Sequence, residues 1–539
     1  MTAFRCAILA LVAGLSACGG DGTSSFATPP GAGSPNGGSS SSGSSSSGAS
    51  SSGGGDGWLV GVFEPSAHFA AQCQNPRAGI DPTTHQPYPD VRGTTLDENN
   101  FLRSWTNELY LWYSEVPDLD PGAYATTATY FPLLKTSALT STGNPKDKFH
   151  FTYATAVWEQ LSQAGVNIGY GLDWDIAASM PPRQVYAAYI WPGEAAATAG
   201  IVRGDQVLAI DGIDMVNADD GASVDALNEA LSPTTAGESH VFTLQDPGAS
   251  TTHDVTLQAA NLTETPVPIV KALSTPTGAV GYILFNDHIA TSEQELIDAV
   301  TTLRADSVID LVLDLRYNGG GYLDIASELA YMIAGPGPTA GQAFDQITFN
   351  GKYPSTNPVT GTALSPTPFH TTTQGFSAQA GSPLPYLALP RVFVLTGPGT
   401  CSASEAIINS LDGVGVQVIQ IGSTTCGKPY GFYPQDNCGT TYFSIQFQGA
   451  NAQGFGNYPD GFSPQNSTVT TSAVLPGCSV ADDFTHQLGD TAEGRLAAAL
   501  AYRANPGCPT PPTGVALPRR TGAHAVRKPP WRENGILSH

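Results

Sequence analysis

The stretch VIDLVLDLRYNGGG at residues 308–321 decides the fold of this chain. It begins with an apolar run, Val308 to Leu315, enters a turn with three glycines, and continues into a helical pattern from Leu323 to Ile333. A short apolar run bounded by turn residues is typical of a buried strand. A strand followed by a glycine turn and a helix is typical of a βαβ arrangement. We therefore predict a multidomain α/β protein built around this segment.

The same alternation of strand and helix continues on both sides of that stretch. We predict a strand at 279–285, a helix at 292–305, a strand at 391–396, a helix that starts near Ser402, and a strand at 414–421. Such alternation favours a parallel or mixed sheet whose strands end at one common edge. Residues that follow these strands are therefore the candidates for a functional site.

The first candidate is the segment Gly399 to Glu405 (GTCSASE), where a strand ends in small residues and a helix begins. A hydroxyl at this position lies at the positive end of a helix, beside free backbone N–H groups, which are the conditions for an attacking serine with an oxyanion hole. The alternative is structural, since Ser402 or Ser404 can cap the helix. The segment alone does not decide between them.

The second candidate is Lys428, which follows the next strand and therefore returns to the same end of the sheet. A lysine activates a serine only when its amine is neutral, and burial lowers a lysine pKa. The alternative is a surface lysine at a strand end, which is the commonest fate of lysine. The third candidate is the glycine run 319–321, whose amides can offer an oxyanion a second donor. Its alternatives are a flexible turn or a phosphate loop, although no P-loop lysine follows.

These three segments together resemble the carboxyl-terminal processing, or tail-specific, serine peptidases. The likeness is carried by Leu315, Arg316, Asn318, Gly320 and Gly321, by Ser402-Ala403-Ser404-Glu405, and by Gly427-Lys428. The resemblance implies a crotonase-like/ClpP-like ββα catalytic domain. It also implies that Ser402 is the nucleophile and Lys428 its general base. The backbone amides of Ser402 and of Gly320 or Gly321 would bind the oxyanion, and Ser404 and Glu405 would be supporting residues.

One position departs from that family pattern. Many members have glutamine or glutamate four residues after the lysine, where this chain has Phe432. We expect another side chain to orient the Lys428 amine instead. The candidates in the sequence are Thr424, Thr425, Tyr430 and Asp412.

A second resemblance lies upstream. Residues 199–212 (AGIVRGDQVLAIDG) are similar to the core of the PDZ module in bacterial proteases. PDZ modules add a peptide strand to a sheet edge and hold its terminal carboxylate in a backbone nest. The resemblance implies that this carboxylate loop is the glycine-flanked stretch Ile168, Gly169, Tyr170, Gly171 and Leu172. We therefore expect polypeptide partners that are bound by their C-terminal tails.

The first residues predict export. Arg5 precedes an apolar run that is too short to span a bilayer, and Leu15-Ser16-Ala17-Cys18 resembles the bacterial lipobox, in which the cysteine is lipidated. We predict a lipid anchor at Cys18 that holds the protein to the cell envelope, facing the periplasm. The alternative is an ordinary signal peptide with an incidental cysteine.

The domain boundaries follow from changes in composition along the chain. We predict a lipoprotein signal peptide at 1–18, a Ser/Gly tether at 19–57, a helical N-terminal region at 58–163, a PDZ-like module at 164–262, a catalytic domain at 263–508 and a disordered basic tail at 509–539. In the N-terminal region, Phe101, Trp105, Leu109 and Trp112 have helical spacing, and we expect them to form one packing face.

Charge and cysteine content restrict the partners. The net charge of −24 disfavours nucleic acid, which needs a basic surface. No spacing of the CxxC type predicts a metal site, and no cofactor is expected. In an oxidising compartment the remaining cysteines are expected to form disulfides. The sequence does not fix their pairing, but local spacing favours Cys426–Cys438 and Cys478–Cys508.

Three functions remain open from the sequence. The first is an endopeptidase that recognises C-terminal tails, and the second is a peptidase-like scaffold that binds such tails without cutting. The third is a Ser/His/Asp hydrolase that would use His288, His370 or His486. No Gly-x-Ser-x-Gly motif surrounds Ser402, which disfavours the third function.

Overall fold

The computed structural model describes residues 58–82, 84–469, 471–510, 525–526 and 535–537, and of the last three residues it describes only the backbone. The predicted signal peptide with Cys18 and the predicted tether lie outside these residues. Within the described part of the chain, no helix combines the length and the apolar character that a bilayer crossing requires.

The N-terminal region contains little regular structure. Its strands and α-helices are β1 (Gln72–Cys73), β2 (Val91–Arg92), α1 (Thr95–Leu109), α2 (Thr127–Tyr130), β3 (Phe151–Ala154) and α3 (Thr155–Ala164). The prediction of a mostly helical region is therefore wrong, because most of the segment packs as loops and short 3-10 turns. Phe101 and Trp105 are buried on α1 as predicted, but the helix ends at Leu109, and Trp112 packs against Tyr430 instead.

Residues 166–263 form the β-rich module. Its elements are β4 (Val166–Gly169), β5 (Leu172–Ala178), β6 (Gln184–Ile190), α4 (Ala195–Thr198), β7 (Gln206–Ile210), β8 (Ile213–Asp214), α5 (Gly221–Leu231), β9 (Ser239–Gln245), β10 (His253–Gln258) and β11 (Ala260–Thr263). The main sheet has the order β10-β9-β7-β6-β5, with β8 on β7, and a separate pair joins β11 to β4. Apolar residues that alternate along these strands form one core with α5, which is the pattern of a sheet with one covered face.

Residues 269–504 form the predicted catalytic domain. Its elements are β12 (Ile269–Thr275), β13 (Gly278–Leu284), α6 (Ser292–Ala305), β14 (Asp310–Asp314), β15 (Gly320–Tyr322), α7 (Leu323–Ala334), α8 (Pro336–Thr339), β16 (Ala343–Asp345), β17 (Thr348–Phe349), β18 (Thr367–Pro368), β19 (Arg391–Thr396), α9 (Ala403–Gly413), β20 (Gln417–Gly422), β21 (Tyr430–Gly431), β22 (Gln435–Asn437), β23 (Thr440–Phe443), β24 (Phe447–Gln448), β25 (Phe462–Pro464), β26 (Ala473–Leu475), β27 (Gly477–Ser479) and α10 (Gly494–Ala504).

The central sheet of this domain has the order β12-β13-β14-β19-β20-β27, and its strands are parallel except for β12. Its strands are apolar on both sides because both faces are covered. Leu311 and Leu313 face a core with α6, α7 and α9, whereas Val312 faces a second core with α10. Parallel strands end at the same edge, so the turns after β14, β19 and β20 meet there. The βαβ prediction is confirmed.

The disulfide pairs are Cys73–Cys438, Cys401–Cys426 and Cys478–Cys508. The local pair Cys478–Cys508 is therefore confirmed. The pair Cys426–Cys438 is wrong, because Cys438 is at the turn between β22 and β23, beside the N-terminal region. That hairpin also pairs with β3, so a strand of the N-terminal region completes a sheet of the catalytic domain.

A buried ion network joins the β-rich module to the catalytic domain. Asp482 accepts from Arg203 of the module and from Arg316 of the strand-turn segment, each at 2.7 Å. Arg316 also binds Asp314 and Glu493. Burial alone would raise the pKa of the Asp482 carboxyl, but Arg203, Arg316 and Arg495 hold it well below the ordinary value. The module is thus fixed close to the turn that contains glycines 319–321, the glycine turn.

Two parts of the predicted disordered tail have defined positions. Ala525 and Val526 are buried against the β-rich module. Residues Gly535–Leu537 form the strand β28, which pairs with β15. The prediction of disorder is therefore wrong for these five residues, because each part finds backbone partners on the folded domains.

Candidate active site

The turn before α9 is fixed from below by Thr400. Its hydroxyl donates to the carbonyl of Leu315 at 2.7 Å and accepts from the amide of Gly397 at 2.9 Å. This side chain thus joins the end of β19 to the end of β14. The next residues, Cys401 and Ser402, are held at the common edge of the sheet as a result.

Ser402 occupies the N-cap position of α9 and is arranged with Glu405 as a capping box, in which Glu405 accepts from the backbone amide of Ser402. The Ser402 side chain makes no capping hydrogen bond, it is fully buried, and its Oγ has no hydrogen-bond partner. Its backbone has φ +69°, a conformation that costs a non-glycine residue roughly 1–3 kcal/mol. Strain and an unsatisfied buried hydroxyl at one residue are difficult to explain by capping, and both are typical of a nucleophile held ready for attack.

Lys428 is also fully buried, at the turn between β20 and β21. Its amine lies 4.0 Å from the ring centre of Phe432 and 5.2 Å from that of Phe149. Burial lowers the pKa of this amine well below the ordinary value of lysine, against the opposing charges of Asp147 and Glu405. The amine therefore loses its proton more readily than an ordinary lysine, as a general base requires.

Glu405 joins the turn that carries Ser402, the serine turn, to the turn that carries Lys428, the lysine turn. Its carboxylate accepts hydrogen bonds from the backbone amides of Ser402 (3.0 Å), Gly427 (2.8 Å) and Lys428 (2.7 Å), and from the hydroxyl of Thr425. Burial raises the pKa of this carboxyl, but the donors oppose that shift. Four donors leave no acceptor oxygen unused, so Glu405 fixes the serine turn against the lysine turn. This contact gives a physical reason for glutamate three residues after the serine.

The disulfide Cys401–Cys426 crosses the same boundary. Cys401 directly precedes Ser402, and Cys426 lies two residues before Lys428. The backbones of both residues are thus held together covalently and through Glu405. No hydrogen bond joins Ser402 Oγ to Lys428 Nζ, since the hydroxyl has no partner in the described structure. A rotation of the side chains must therefore precede any proton transfer between them.

Asn318 organises the glycine turn. Its Oδ1 accepts from the amide of Gly320 at 2.9 Å and contacts Nδ1 of His288 at 3.0 Å. Its own carbonyl accepts from the amide of Cys401 at 3.1 Å and from the hydroxyl of Ser404 at 3.2 Å. Ser404 thus supports the contact between the glycine turn and the serine turn, and Asn318 is the residue through which both are connected.

These contacts change the prediction for the oxyanion donors. The amides of Ser402 and Gly320 are both occupied, by Glu405 and Asn318 respectively. Among the described residues, the first amide of α9 that has no acceptor is that of Ala403, as is usual for the first turn of a helix. At the glycine turn, the amide that is bonded neither to Asn318 nor to His288 is that of Gly321, which lies on the edge of β15 that pairs with β28. The sequence reasoning missed Ala403, because only the backbone geometry shows that Glu405 occupies the amide of Ser402.

The four side chains that were expected to orient the lysine amine have other roles. Thr425 binds Glu405, Thr424 binds Ser463, and Tyr430 packs against Trp112. Asp412 lies at the far end of α9. The position of the usual glutamine or glutamate is instead filled by the ring of Phe432 against the amine.

A small cavity of about 20 Å³ adjoins the glycine turn. It is lined by Phe151, Trp158, Leu161, Asp287, His288, Ile289, Gly320, Gly321, Phe432 and Phe443. Its two titratable residues favour their neutral forms, because burial raises the pKa of Asp287 to about 8 and lowers that of His288 to about 3. The cavity is therefore apolar, and in this structure it has room for about one water molecule.

The histidines do not form a triad with Ser402. His288 contacts Asn318, and its Nε2 has no partner in the described part of the chain. His370 and His486 bind Asp324 and Asp483 instead, at 2.6 and 2.7 Å. All three histidines thus have other partners, and none of them bonds Ser402 Oγ in the described part of the chain.

Two clusters of potential metal ligands occur in the described residues, namely Cys73 with Glu98 and Cys438, and Cys401 with Glu405 and Cys426. In both clusters the two cysteines form a disulfide. A disulfide sulfur lacks the thiolate that binds metals. These clusters are therefore unsuited to hold an ion.

The predicted carboxylate loop lines a groove of the β-rich module. Ile168, Gly169, Tyr170, Gly171 and Leu172 all border a cavity of about 510 Å³, together with the C-terminal end of α5 and part of α3. Gly171 has φ +79°, and a Cβ there would lie 2.1 Å from that of Glu194. Only glycine therefore fits at the bend of this loop. The arrangement of loop, edge strand and helix is that of a PDZ-like module.

Comparisons with known proteins agree with this geometry. Residues 279–432 match the model of peptidase family S41. The chain is 31% identical over 174 residues to a carboxyl-terminal-processing protease of Picosynechococcus sp., and 27% identical over 173 residues to one of Synechocystis sp.. Each alignment covers 32% of this chain, and 39% and 38% of those relatives respectively. The chain thus spans less than half the length of the curated relatives it matches.

A solved structure supports the fold beyond that segment. A protein from Bacteroides fragilis described as an S41 protease superposes with a TM-score of 0.55 and 21% identity, over 77% of this chain and 98% of its own. The strand-turn 315–321, the serine turn and the lysine turn all lie within the matched segment 279–432. Residues 279–432 therefore match peptidase family S41, in a fold that also contains a PDZ-like module.

Proposed function

We propose that this protein is a serine endopeptidase in which Ser402 is the nucleophile and Lys428 the general base. The observation that carries the proposal is the state of these two residues. A buried, unpartnered hydroxyl at a strained backbone position is fixed, through Glu405, beside a buried lysine whose pKa is strongly lowered. The S41 relatives and the fold of the domain support the same activity.

In the proposed reaction, Ser402 Oγ attacks the carbonyl carbon of the substrate, and its proton passes to the neutral amine of Lys428. The carbonyl oxygen becomes an oxyanion, which the amides of Ala403 and Gly321 stabilise. The C–N bond then breaks, and the leaving amine takes the proton from Lys428. A water molecule next attacks the acyl ester, gives its proton to Lys428, and releases the acid as that proton returns to Ser402.

The substrate class follows from the β-rich module. Its groove offers an edge strand and a glycine loop, which suit an extended peptide end with an apolar last residue. We infer that the substrates are polypeptides recognised through their C-terminal tails. We further infer that the enzyme acts in the cell envelope, held by a lipid on Cys18, with a signal peptide at 1–18, a Ser/Gly tether at 19–57, a PDZ-like module at 164–262 and a catalytic domain at 263–508.

The proposal is tested by peptide hydrolysis with the Ser402→Ala variant. We expect turnover of a substrate with a free apolar C-terminus to fall to the uncatalysed rate, because the attacking atom is removed. The matched control is Ser410→Ala, which removes a buried hydroxyl from the same helix that donates to Phe344 at 2.6 Å. Full turnover by Ser402→Ala, or equal loss in both variants, would contradict the proposal.

The second candidate is a scaffold that binds peptide ends without cutting them. The missing hydrogen bond between Ser402 and Lys428 favours it, as does Phe432 at the position where many members of the family have glutamine or glutamate. A fluorophosphonate probe separates the two candidates, since it reacts only with an activated serine. Labelling of Ser402 in the wild type but not in Lys428→Ala supports the peptidase, and a wild type that binds tails without labelling supports the scaffold.

A further inference from the structure

The strand β15 has two edges, and one is fully used inside the protein. The carbonyl of Gly320 accepts from the amide of His288 at 3.2 Å, and the amide of Tyr322 donates to the carbonyl of His288 at 2.8 Å. The amide of Gly320 donates to Asn318. Since successive residues of a strand present their amides and carbonyls in opposite directions, Gly321 faces the other edge. The strand begins close to the serine turn, since the amide of Cys401 donates to the carbonyl of Asn318 at 3.1 Å.

This second edge is occupied by the chain itself. The strand β28 pairs with β15 in parallel, with Gly535 opposite Gly320, Ile536 opposite Gly321 and Leu537 opposite Tyr322. The backbone of β28 also contacts β21, which begins two residues after Lys428. Residues 535–537 thus lie in the cleft between the glycine turn and the strand that follows the lysine.

A second part of the same segment is attached to the β-rich module. The amide of Val526 donates to the carbonyl of Ser179 at 3.2 Å, and its side chain is buried with the core of the module. Asn228 on α5 approaches the carbonyl of Ala525 at 3.5 Å. The C-terminal segment therefore contacts the module as well as the proposed active site.

A substrate needs the position that β28 fills. Ser402 and Lys428 are both fully buried in this state, and the cavity beside Gly321 has room for about one water molecule. A peptide bond that reaches Ser402 must present its backbone along the second edge of β15, because the amide of Gly321 faces that edge. Substrate and residues 535–537 cannot occupy it together.

We propose that the second edge of β15 is the binding site for the substrate backbone, and that residues 535–537 occupy it as a reversible intramolecular competitor. This inference rests on the proposed peptidase function. The ligand of the edge is an extended polypeptide backbone, and the hydrogen bonds of the ladder are the source of recognition. A tethered segment has an effective concentration of about 1 mM or more, so even weak pairing keeps the site closed.

The first test compares the full chain with a chain that ends at Asn534, which keeps the contacts of Ala525 and Val526. We expect kcat/KM for a peptide substrate to rise by about tenfold, because the fraction of open enzyme sets the apparent affinity. The full chain with Ile536→Pro and Leu537→Pro should behave like the shortened chain, since proline donates no ladder hydrogen bond. The matched control, Ile536→Val with Leu537→Ile, keeps both amides and should stay closed.

A second test does not depend on activity. In the Ser402→Ala background, hydrogen exchange at the amide of Gly321 should be slow in the full chain and faster in the chain that ends at Asn534, whereas the amides of Gly320 and Tyr322 should stay protected in both. The inhibition should also be independent of protein concentration, because the competitor belongs to the same molecule. Inhibition that grows with concentration would overturn the intramolecular form and indicate a second copy as the source.

The outcomes separate this inference from the proposed function. Equal turnover, equal probe labelling and equal exchange in the full and shortened chains would overturn the competitor while leaving the peptidase intact. If neither chain hydrolysed peptides or reacted with the probe, the proposed function would fail. The exchange experiment would then still decide whether residues 535–537 cover β15.

Discussion

The backbone amide of Lys428 donates a hydrogen bond of 2.7 Å to the carboxylate of Glu405, three residues after Ser402. The same carboxylate oxygen accepts from the amide of Ser402 at 3.0 Å. One atom therefore fixes the relative positions of the proposed nucleophile and of the segment that carries its base. The effects expected for Glu405→Gln and for loss of the Cys401–Cys426 disulfide depend on that coupling.

Glu405→Gln should lower both activity and stability. The amide of glutamine keeps one acceptor oxygen but turns an NH₂ group toward donors, so at least one buried N–H loses its partner, at about 1–3 kcal/mol. We expect kcat/KM to fall at least about tenfold, with a lower free energy of unfolding in urea. Glu295→Gln is the control, because Glu295 accepts a single bond from Val267, away from the site. Similar losses of activity in both variants would argue against a positioning role.

Lys428→Ala should reduce kcat/KM by about 10²–10⁴-fold, which is the usual contribution of a general base. The control is Lys148→Ala, since Lys148 is exposed and its amine donates to the carbonyl of Cys426 at 2.7 Å. The variant Lys148→Ala should retain most of the activity. The reverse pattern would identify Lys148 as the base.

The pH profile gives an independent check on the same residue. Burial lowers the pKa of Lys428, so the amine loses its proton at a pH well below the ordinary lysine value. The rate should rise with pH as this proton is lost, and it should reach its plateau well below the pH at which an ordinary lysine titrates. A rate that continued to rise up to pH 10.5 would show that the lysine has an ordinary pKa.

Reduction of Cys401–Cys426 should inactivate the enzyme. The pair joins the serine turn to the lysine turn, whereas Cys478–Cys508 joins β27 to the residues after α10. The sequence separations are 25 and 30 residues, so each bond should stabilise the fold by a similar amount, about 3 kcal/mol. We expect both double alanine variants to lose stability and only C401A/C426A to lose activity, measured below both melting temperatures. Equal activity in the two variants would exclude a role of the first disulfide in positioning.

Asp287→Asn should change how stability depends on pH. Burial raises the pKa of Asp287 to about 8, so the folded protein keeps a proton that the unfolded chain has released above about pH 4. The wild type should therefore lose stability as pH rises from 4 to 8, because unfolding is favoured wherever the folded state binds more protons.

The variant has no such proton at this position, so its advantage over the wild type should grow across that range. Urea unfolding at several pH values measures the difference. The control is Asp298→Asn, an exposed position on α6, which should keep the pH dependence of the wild type. If Asp298→Asn changed the pH dependence of stability as Asp287→Asn does, the assignment would be contradicted. Glu264, whose pKa is also raised by burial and by Asp287, should contribute a slope of the same sign.

Much of the fold could be read from local patterns. The apolar run before Leu315 is continuous because β14 is buried on both faces, and the periodic segments beside it formed α6, α7 and α9 nearly at the predicted bounds. The N-terminal region could not be read in this way. Its aromatic residues have helical spacing, but the chain leaves the helix after Leu109, since the amide of Leu111 bonds the carbonyl of Ile445 on the catalytic domain.

The sequence by itself determined that a serine turn, a lysine turn and a glycine turn follow three strands of one sheet, because parallel strands end at one edge. Only the tertiary structure decided which atoms are available there. Glu405 occupies the amide of Ser402, Asn318 occupies that of Gly320, and β28 covers the edge at Gly321. Those contacts join residues that are distant in the chain and depend on hydrogen-bond directions, which local residue patterns do not encode.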